Sequence, residues 1–194
     1  MKGMRPFTDE EIDAISDGFT GTYANRDRAL FITGVKSGFR ISELLSLDVK
    51  DVYDRGRILD RVSVAKRHTK KQIESRSVPL HPLAKGAILV WLQDMKDMDK
   101  FSPDAPLFPS RKGDKSITRV AAYQRINKAA DYVGISTKDI GTHSMRKTFA
   151  DRVYERSNHN LIQTQQALGH KNVTSTTSYL SFRQEDIDDL ILSS

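Results

Sequence analysis

Apolar residues return at helical intervals over most of the chain. Phe7, Ile12 and Ile15 form a first stripe, and Thr8 with Glu11 three positions on makes a capping box, so a helix starts near residue 9. Leu30, Phe31 and Val35 repeat at helical spacing between Asn25 and Ser37, Gly38 punctuates, and Ile41, Leu44, Leu45 and Leu47 mark a short helix behind it. Arg40 therefore lies at a helix start.

The period changes over residues 52–80. Ile58, Val62 and Val64 are β-rich, the polar run RHTKKQIES follows, and SRSVPL returns as a strand ended by Pro79, which predicts a small hairpin or three-stranded sheet. Pro82 then opens a helix at a favoured first-turn position, with Ile88, Trp91, Leu92 and Met95 on its buried face. Residues 101–115, with Pro103, Pro106, Pro109 and Gly113, read as a loop. Helical spacing resumes at 118–133 (Ile126, Ala129, Ala130, Val133), at 143–156 (Met145, Phe149, Val153) and at 160–168 (Leu161, Gln165, Leu168), where Gly169 stops it. A last helix near 184–192 carries Ile187, Leu190 and Ile191. With no repeat or internal linker, the expectation is a mainly α fold with a small antiparallel β-sheet, residues 1–194 forming a single domain.

Composition narrows the chemistry. An apolar fraction of 38% over 194 residues suffices for a continuous core. No stretch approaches the roughly 18 apolar residues of a membrane span, and the start MKGMRPFTDEE lacks a signal-peptide core, so a cytoplasmic location is expected. The absence of cysteine excludes disulfides, thiolate metal sites and cysteine nucleophiles, leaving hydroxyl, phenol or carboxylate chemistry. The net charge is +6, and residues 183–194 set one arginine against Glu185, Asp186, Asp188 and Asp189, so the body is more basic than the whole. A basic body favours a polyanionic partner through phosphate neutralisation.

Four segments hold candidate reactive groups, each with an ordinary reading of its own. In GFRISELL, Arg40 and Glu43 are neighbours on one helical face, as in a surface ion pair. In HSMR, His143 and Arg146 are again three apart, as in a solvated helix start. In LGHKNVTSTTSYL, His170 follows the helix-ending Gly169 and Tyr179 comes nine residues later after a Thr-rich turn, as a cap and a packed aromatic would. Lys66 to Lys71 form a basic hairpin tip. Together they supply the parts of metal-free phosphoryl transfer. Guanidinium groups hold phosphate oxygens bidentately, histidine carries protons, and a phenol with a pKa of about 10 needs a proton acceptor and a cationic setting before it attacks phosphorus.

In this order the segments resemble the tyrosine recombinase, or phage integrase, family, whose pattern is Arg in G-[LF]-R-x-S-E-L, a hairpin Lys, H-x-L-R, L-G-H and a Tyr nine residues on. The chain reads GFRISEL, HTKK, HSMR, LGH and Tyr179, over about residues 7–182. Met145 stands where the pattern has Leu, and Leu180 and Ser181 follow Tyr179 where relatives often show a His two residues on.

The resemblance implies a catalytic domain of the DNA breaking and rejoining kind. Tyr179 would attack a phosphodiester of double-stranded DNA, leaving a 3′-phosphotyrosine bond and a free 5′-hydroxyl. Arg40 and Arg146 would hold the phosphate with His170 as a further donor, His143 would take the tyrosine proton, and Lys70, with Lys71 as the alternative, would protonate the leaving oxygen. Glu43 would support the first arginine. No cofactor or metal is implied. Because only five residues precede PFTDEEI, the family's N-terminal core-binding domain is expected to be absent. The resemblance further implies a homo-oligomer on DNA, a tetrameric synapse in which the segment after the tyrosine docks on a neighbouring subunit. A type IB topoisomerase uses similar chemistry, and a non-catalytic DNA-binding regulator would keep the basic surface, so both stand as alternatives. A metal-dependent nuclease would want carboxylates clustered by the His and Arg motifs, and none lies there in sequence.

Overall fold

Thr8 starts α1 (Asp9–Gly18) as the sequence requires: its hydroxyl accepts from Glu11 N, and the Glu11 carboxylate accepts from Thr8 N. Arg5 adds a bidentate pair to the same carboxylate, both contacts 2.6 Å, and holds Glu11 below the ordinary carboxylate range. The structure is a computed structural model that describes residues 4–64, 76–112, 115–180 and 191–192. It divides into two compact units, Met1–Phe149 and Ala150–Ser194.

The first unit is built around α2 (Ala24–Ser37), which packs on α1, on α3 (Ile41–Leu44), on α4 (Pro82–Asp97) and on α5 (Arg119–Tyr132). A helix contacted on so many sides buries more than one stripe, and Leu30, Phe31, Thr33, Gly34 and Val35 are all inside. Phe7 and Phe19 close on Phe31, with ring centroids 5.4 and 5.8 Å away. Its buried charges, Arg26 and Asp27, satisfy each other: Arg26 Nε and NH2 donate to Asp27 Oδ1 at 2.9 and 2.6 Å, and NH1 donates to the Pro109 carbonyl at 2.7 Å. Burial pushes the Asp27 carboxyl up, against the lowering by Arg26 and Arg125.

The β segment is two separate antiparallel ladders rather than one three-stranded sheet among the described residues. Strands β1 (Tyr53–Asp54) and β2 (Arg57–Ile58) are turned in two residues by Arg55 and Gly56, whose φ angles of 46° and 85° suit a primed hairpin turn. Leu59 N donates back to Val52 O and Leu80 N to Asp60 O, so the chain is handed at once to the next ladder, β3 (Arg61–Val64) with β4 (Arg76–Pro79). Val62 pairs Val78 and Val64 pairs Arg76, so these four side chains share one face. The loop at 101–115 is tied down by Leu107 and Phe108, both fully buried, and Trp91 Nε1 donates to Leu107 O at 2.7 Å.

The boundary between the units falls within α6 (Thr142–Arg156). In the second unit α7 (Leu161–Leu168), capped by the Asn160 side chain, packs on α8 (Val173–Thr177). The Thr-rich turn expected there is helical because Asn172 accepts from Ser175 N at 2.9 Å and supplies the cap that weak helix formers need. Of the helix expected near 184–192, Ile187 and Leu190 lie outside the described residues.

Gly38 caps α2 in the left-handed conformation, φ 61°, with its N–H on Gly34 O, and a Cβ built there would run into the Phe149 ring. Gly38→Ala is expected to lower stability by about 2–4 kcal/mol, the sum of left-handed strain and overpacking, read as a fall in the urea midpoint at constant slope.

Candidate active site

The turn after α2 carries Arg40. Gly38 reverses the chain, buried Phe39 anchors it, and Arg40 enters α3 from an extended conformation. Glu43, one turn into α3, accepts from Arg40 N at 2.5 Å and from Arg40 NH1 at 3.0 Å, so one carboxylate fixes both the backbone and the guanidinium. Arg146 reaches the same place from α6. It is 1% exposed, its NH1 donates to the Gly38 carbonyl, and NH1 lies 4.0 Å from Glu43 Oε2. Met145 beside it is fully buried against Gly34, which orients this face of α6. His143, one turn before Arg146, is exposed.

A third guanidinium joins them. Arg76 of β4 donates from NH2 to Ser37 O at 2.9 Å and from NH1 to Gly38 O at 3.3 Å, and it lies 5.1 Å from the Phe39 ring centre. Burial and the neighbouring Arg146, with Arg40 adding to them and Glu43 opposing, lower its pKa to about 10. It remains charged at neutral pH. Sequence reading missed Arg76, although its position two residues before Val78 put it in phase with an inward strand position.

In the second unit Gly169 ends α7 in the left-handed conformation, φ 64°, and places His170 at 8% exposure. The Gln165 side chain donates to His170 O at 3.1 Å, and His170 Nδ1 lies 3.0 Å from the Thr176 hydroxyl. Tyr179 follows α8, half-buried, its ring centre 5.2 Å from that of His170. Thus Arg40 and Arg146 meet in the first unit, and His170 and Tyr179 meet in the second. Lys70 and Lys71 lie outside the described residues. Among the described residues no three of His, Asp and Glu gather as a metal set, and no helix is long and apolar enough to cross a membrane.

A family model described as "Phage integrase family" matches residues 6–185. The chain belongs to the phage integrase family. Within it, "Probable integrase/recombinase YoeC" of Bacillus subtilis is 32% identical over 160 residues, covering 82% of this chain and 80% of that protein. "Tyrosine recombinase XerC" of Shewanella amazonensis is 33% identical over 158 residues, covering 81% of this chain and 49% of that protein. The fold is that of the site-specific recombinase XerH, solved on its palindromic difH substrate in a post-cleavage complex, with a TM-score of 0.73 at 22% identity over 96% of this chain and 51% of that one. The chain thus spans about half the length of XerC and of XerH. This integrase domain is mainly helical with small antiparallel ladders, as expected from the sequence.

Thr176 is the second residue missed in the sequence, where a run of threonines gave no reason to single one out. It is fully buried, and a hydroxyl donating to Nδ1 would place the imidazole proton on Nε2. Thr176→Val keeps the shape and removes that donor. It is expected to cost less than about 1.5 kcal/mol in urea unfolding yet slow formation of a covalent DNA complex about tenfold. Equal rates for variant and parent would show that the hydroxyl does not orient the ring.

Proposed function

We propose that this integrase-family chain is a site-specific DNA recombinase that cuts and rejoins strands through a 3′-phosphotyrosine link. The observation that carries the reading is the meeting of Arg40 and Arg146 on Glu43 and the Gly38 turn, from segments far apart in sequence. Two fixed guanidiniums suit the nonbridging oxygens of a phosphodiester, where charge must be held during transfer. The contact of His170 with Tyr179 supports the rest, since it puts a donor for the phosphate beside the phenol.

In this reading the Tyr179 oxygen forms a bond to phosphorus as the bond to the 5′-oxygen breaks. His143 takes the phenol proton, and the hairpin lysine, Lys70 or its neighbour Lys71, returns one to the leaving 5′-oxygen. Arg40, Arg146 and Nε2 of His170 hold the phosphate oxygens. A 5′-hydroxyl from another strand then reverses the step, so the phosphotyrosine keeps the energy of the broken bond and rejoining needs no ATP. Double-stranded DNA is the partner. The chain assembles on it as a homo-oligomer, a tetrameric synapse with the segment after Tyr179 exchanged between copies, and works in the cytoplasm as one catalytic domain.

The test is a nicked suicide duplex, selected from a randomised pool for binding, incubated with the protein in EDTA. A denaturant-resistant protein–DNA complex is expected from the parent and none from Tyr179→Phe, while Arg40→Ala and Arg146→Ala should slow it by about 10²–10³-fold. No adduct from the parent, or an equal adduct from Tyr179→Phe, ends the reading. Relaxation of supercoiled plasmid without exchange of ends would instead make it a topoisomerase.

A further inference from the structure

Strand β4 carries an arginine where a core residue belongs. Arg76 and Val78 are two apart on one strand, and their partners Val64 and Val62 are on the same face. Val62, Val64 and Val78 are buried, so Arg76 extends an apolar row inwards. An inward arginine costs desolvation, and a leucine in phase would pack without that penalty. The position is therefore expected to do something that an apolar side chain cannot.

What it does is visible in its contacts. The last carbonyls of a helix lack intrahelical donors, and they form the negative end of the helix dipole. Arg76 donates to two consecutive carbonyls there, Ser37 O at 2.9 Å and Gly38 O at 3.3 Å, at the end of the 14-residue α2. The guanidinium carbon also lies over two aromatic rings, 5.1 Å from the centre of Phe39 and 5.9 Å from that of Phe149. Arg146 donates to that same Gly38 carbonyl, and Arg40 stands two residues beyond it. One backbone turn thus receives two guanidiniums and launches the third.

We propose that Arg76 is a positioning residue of the phosphate site: it clamps the Ser37–Gly38 turn so that Arg40 and Arg146 keep the spacing a phosphodiester requires. The inference rests on the strand-transfer reading above and deepens it. Burial and the neighbouring Arg146 oppose the charge of Arg76, Arg40 adds to them and Glu43 works the other way, so the clamp keeps its cation against a net cost. Lysine is a poor substitute. A compact ammonium lacks the planar fork of donors that reaches two carbonyls at once, although it keeps the charge.

The experiment compares Arg76→Gln and Arg76→Lys with the full parent chain on the same nicked suicide duplex. Single-turnover covalent-complex formation at saturating DNA is measured beside duplex affinity and urea unfolding. A positioning role predicts that Arg76→Gln slows adduct formation about 100-fold while affinity changes less than about threefold, with Arg76→Lys in between. A purely structural role would move the urea midpoint and leave the rate of the folded fraction alone. Adduct formation by folded Arg76→Gln within about threefold of the parent overturns the proposal, and so does a loss of affinity that accounts for the whole loss of rate. Should Arg76→Gln not fold, Arg76→Lys carries the test: a rate about tenfold down at unchanged affinity supports the clamp, and the parental rate overturns it. A parent chain that forms no adduct ends the strand-transfer reading before any variant is compared.

Discussion

The carbonyl of Gly38 is shared by Arg76 and Arg146, and much of the first unit is arranged so that this can happen. It requires α2 to stop where it does, which the left-handed glycine ensures, and no side chain may intervene, since the Phe149 ring occupies the space a Cβ would take. It also requires α6 to approach closely, which Gly34 permits by leaving room for Met145. From that one turn the chain runs through buried Phe39 to Arg40, and Glu43 ties the backbone and side chain of Arg40 together. Arg76 and Arg146 are held here by backbone that packing fixes, and Arg40 by the carboxylate of Glu43.

The second unit reaches the same end by other means. Its candidate residues follow two short helices, each capped by an asparagine: Asn160 serves α7 and Asn172 serves α8. Gly169 turns the chain so that His170 is buried directly behind α7, and Thr176, one residue from the end of α8, meets its Nδ1. A histidine with one nitrogen held by a protein partner presents the other in a fixed direction. Local hydrogen bonding thus organises the His170 and Tyr179 pair, where buried guanidinium contacts organise the Arg40 and Arg146 pair.

Helices were legible because their signals are local. The capping box at Thr8, the proline at the start of α4 and the glycines ending α2 and α7 each act within a few residues, and all appear where the sequence put them. The candidate site residues were legible through their order along the chain, for Arg40, Glu43, His143, Arg146, His170 and Tyr179 fall in recognisable pieces. What was hidden depends on distance. The split of the β segment into two ladders follows from the φ > 0 turn at Arg55–Gly56, a pair less telling in sequence than Asn-Gly. Thr176 and Arg76 gain meaning only from partners elsewhere, an imidazole six residues away and a helix end nearly forty residues back.

Two arginine clusters in the first unit show how buried charge of one kind serves different ends. Arg26 sends Nε and NH2 to Asp27 and NH1 to the Pro109 carbonyl, Tyr23 lies 4.5 Å from the guanidinium carbon, and Arg125 Nε lies 3.9 Å from the same carboxylate. That set ties α2 to Pro109 of the following loop, and removing Arg26 or Asp27 would strand a charge in the interior. Around Glu43, Arg40 lies 3.0 Å and Arg146 4.0 Å from the carboxylate, and both arginines oppose the charge of the neighbouring Arg76. The two clusters differ in access: Asp27 and Arg26 are 3% and 2% exposed, whereas Arg40 keeps 37% of its side chain open, so the phosphate of the proposed reaction can reach the cations at the Gly38 turn and not those at Asp27.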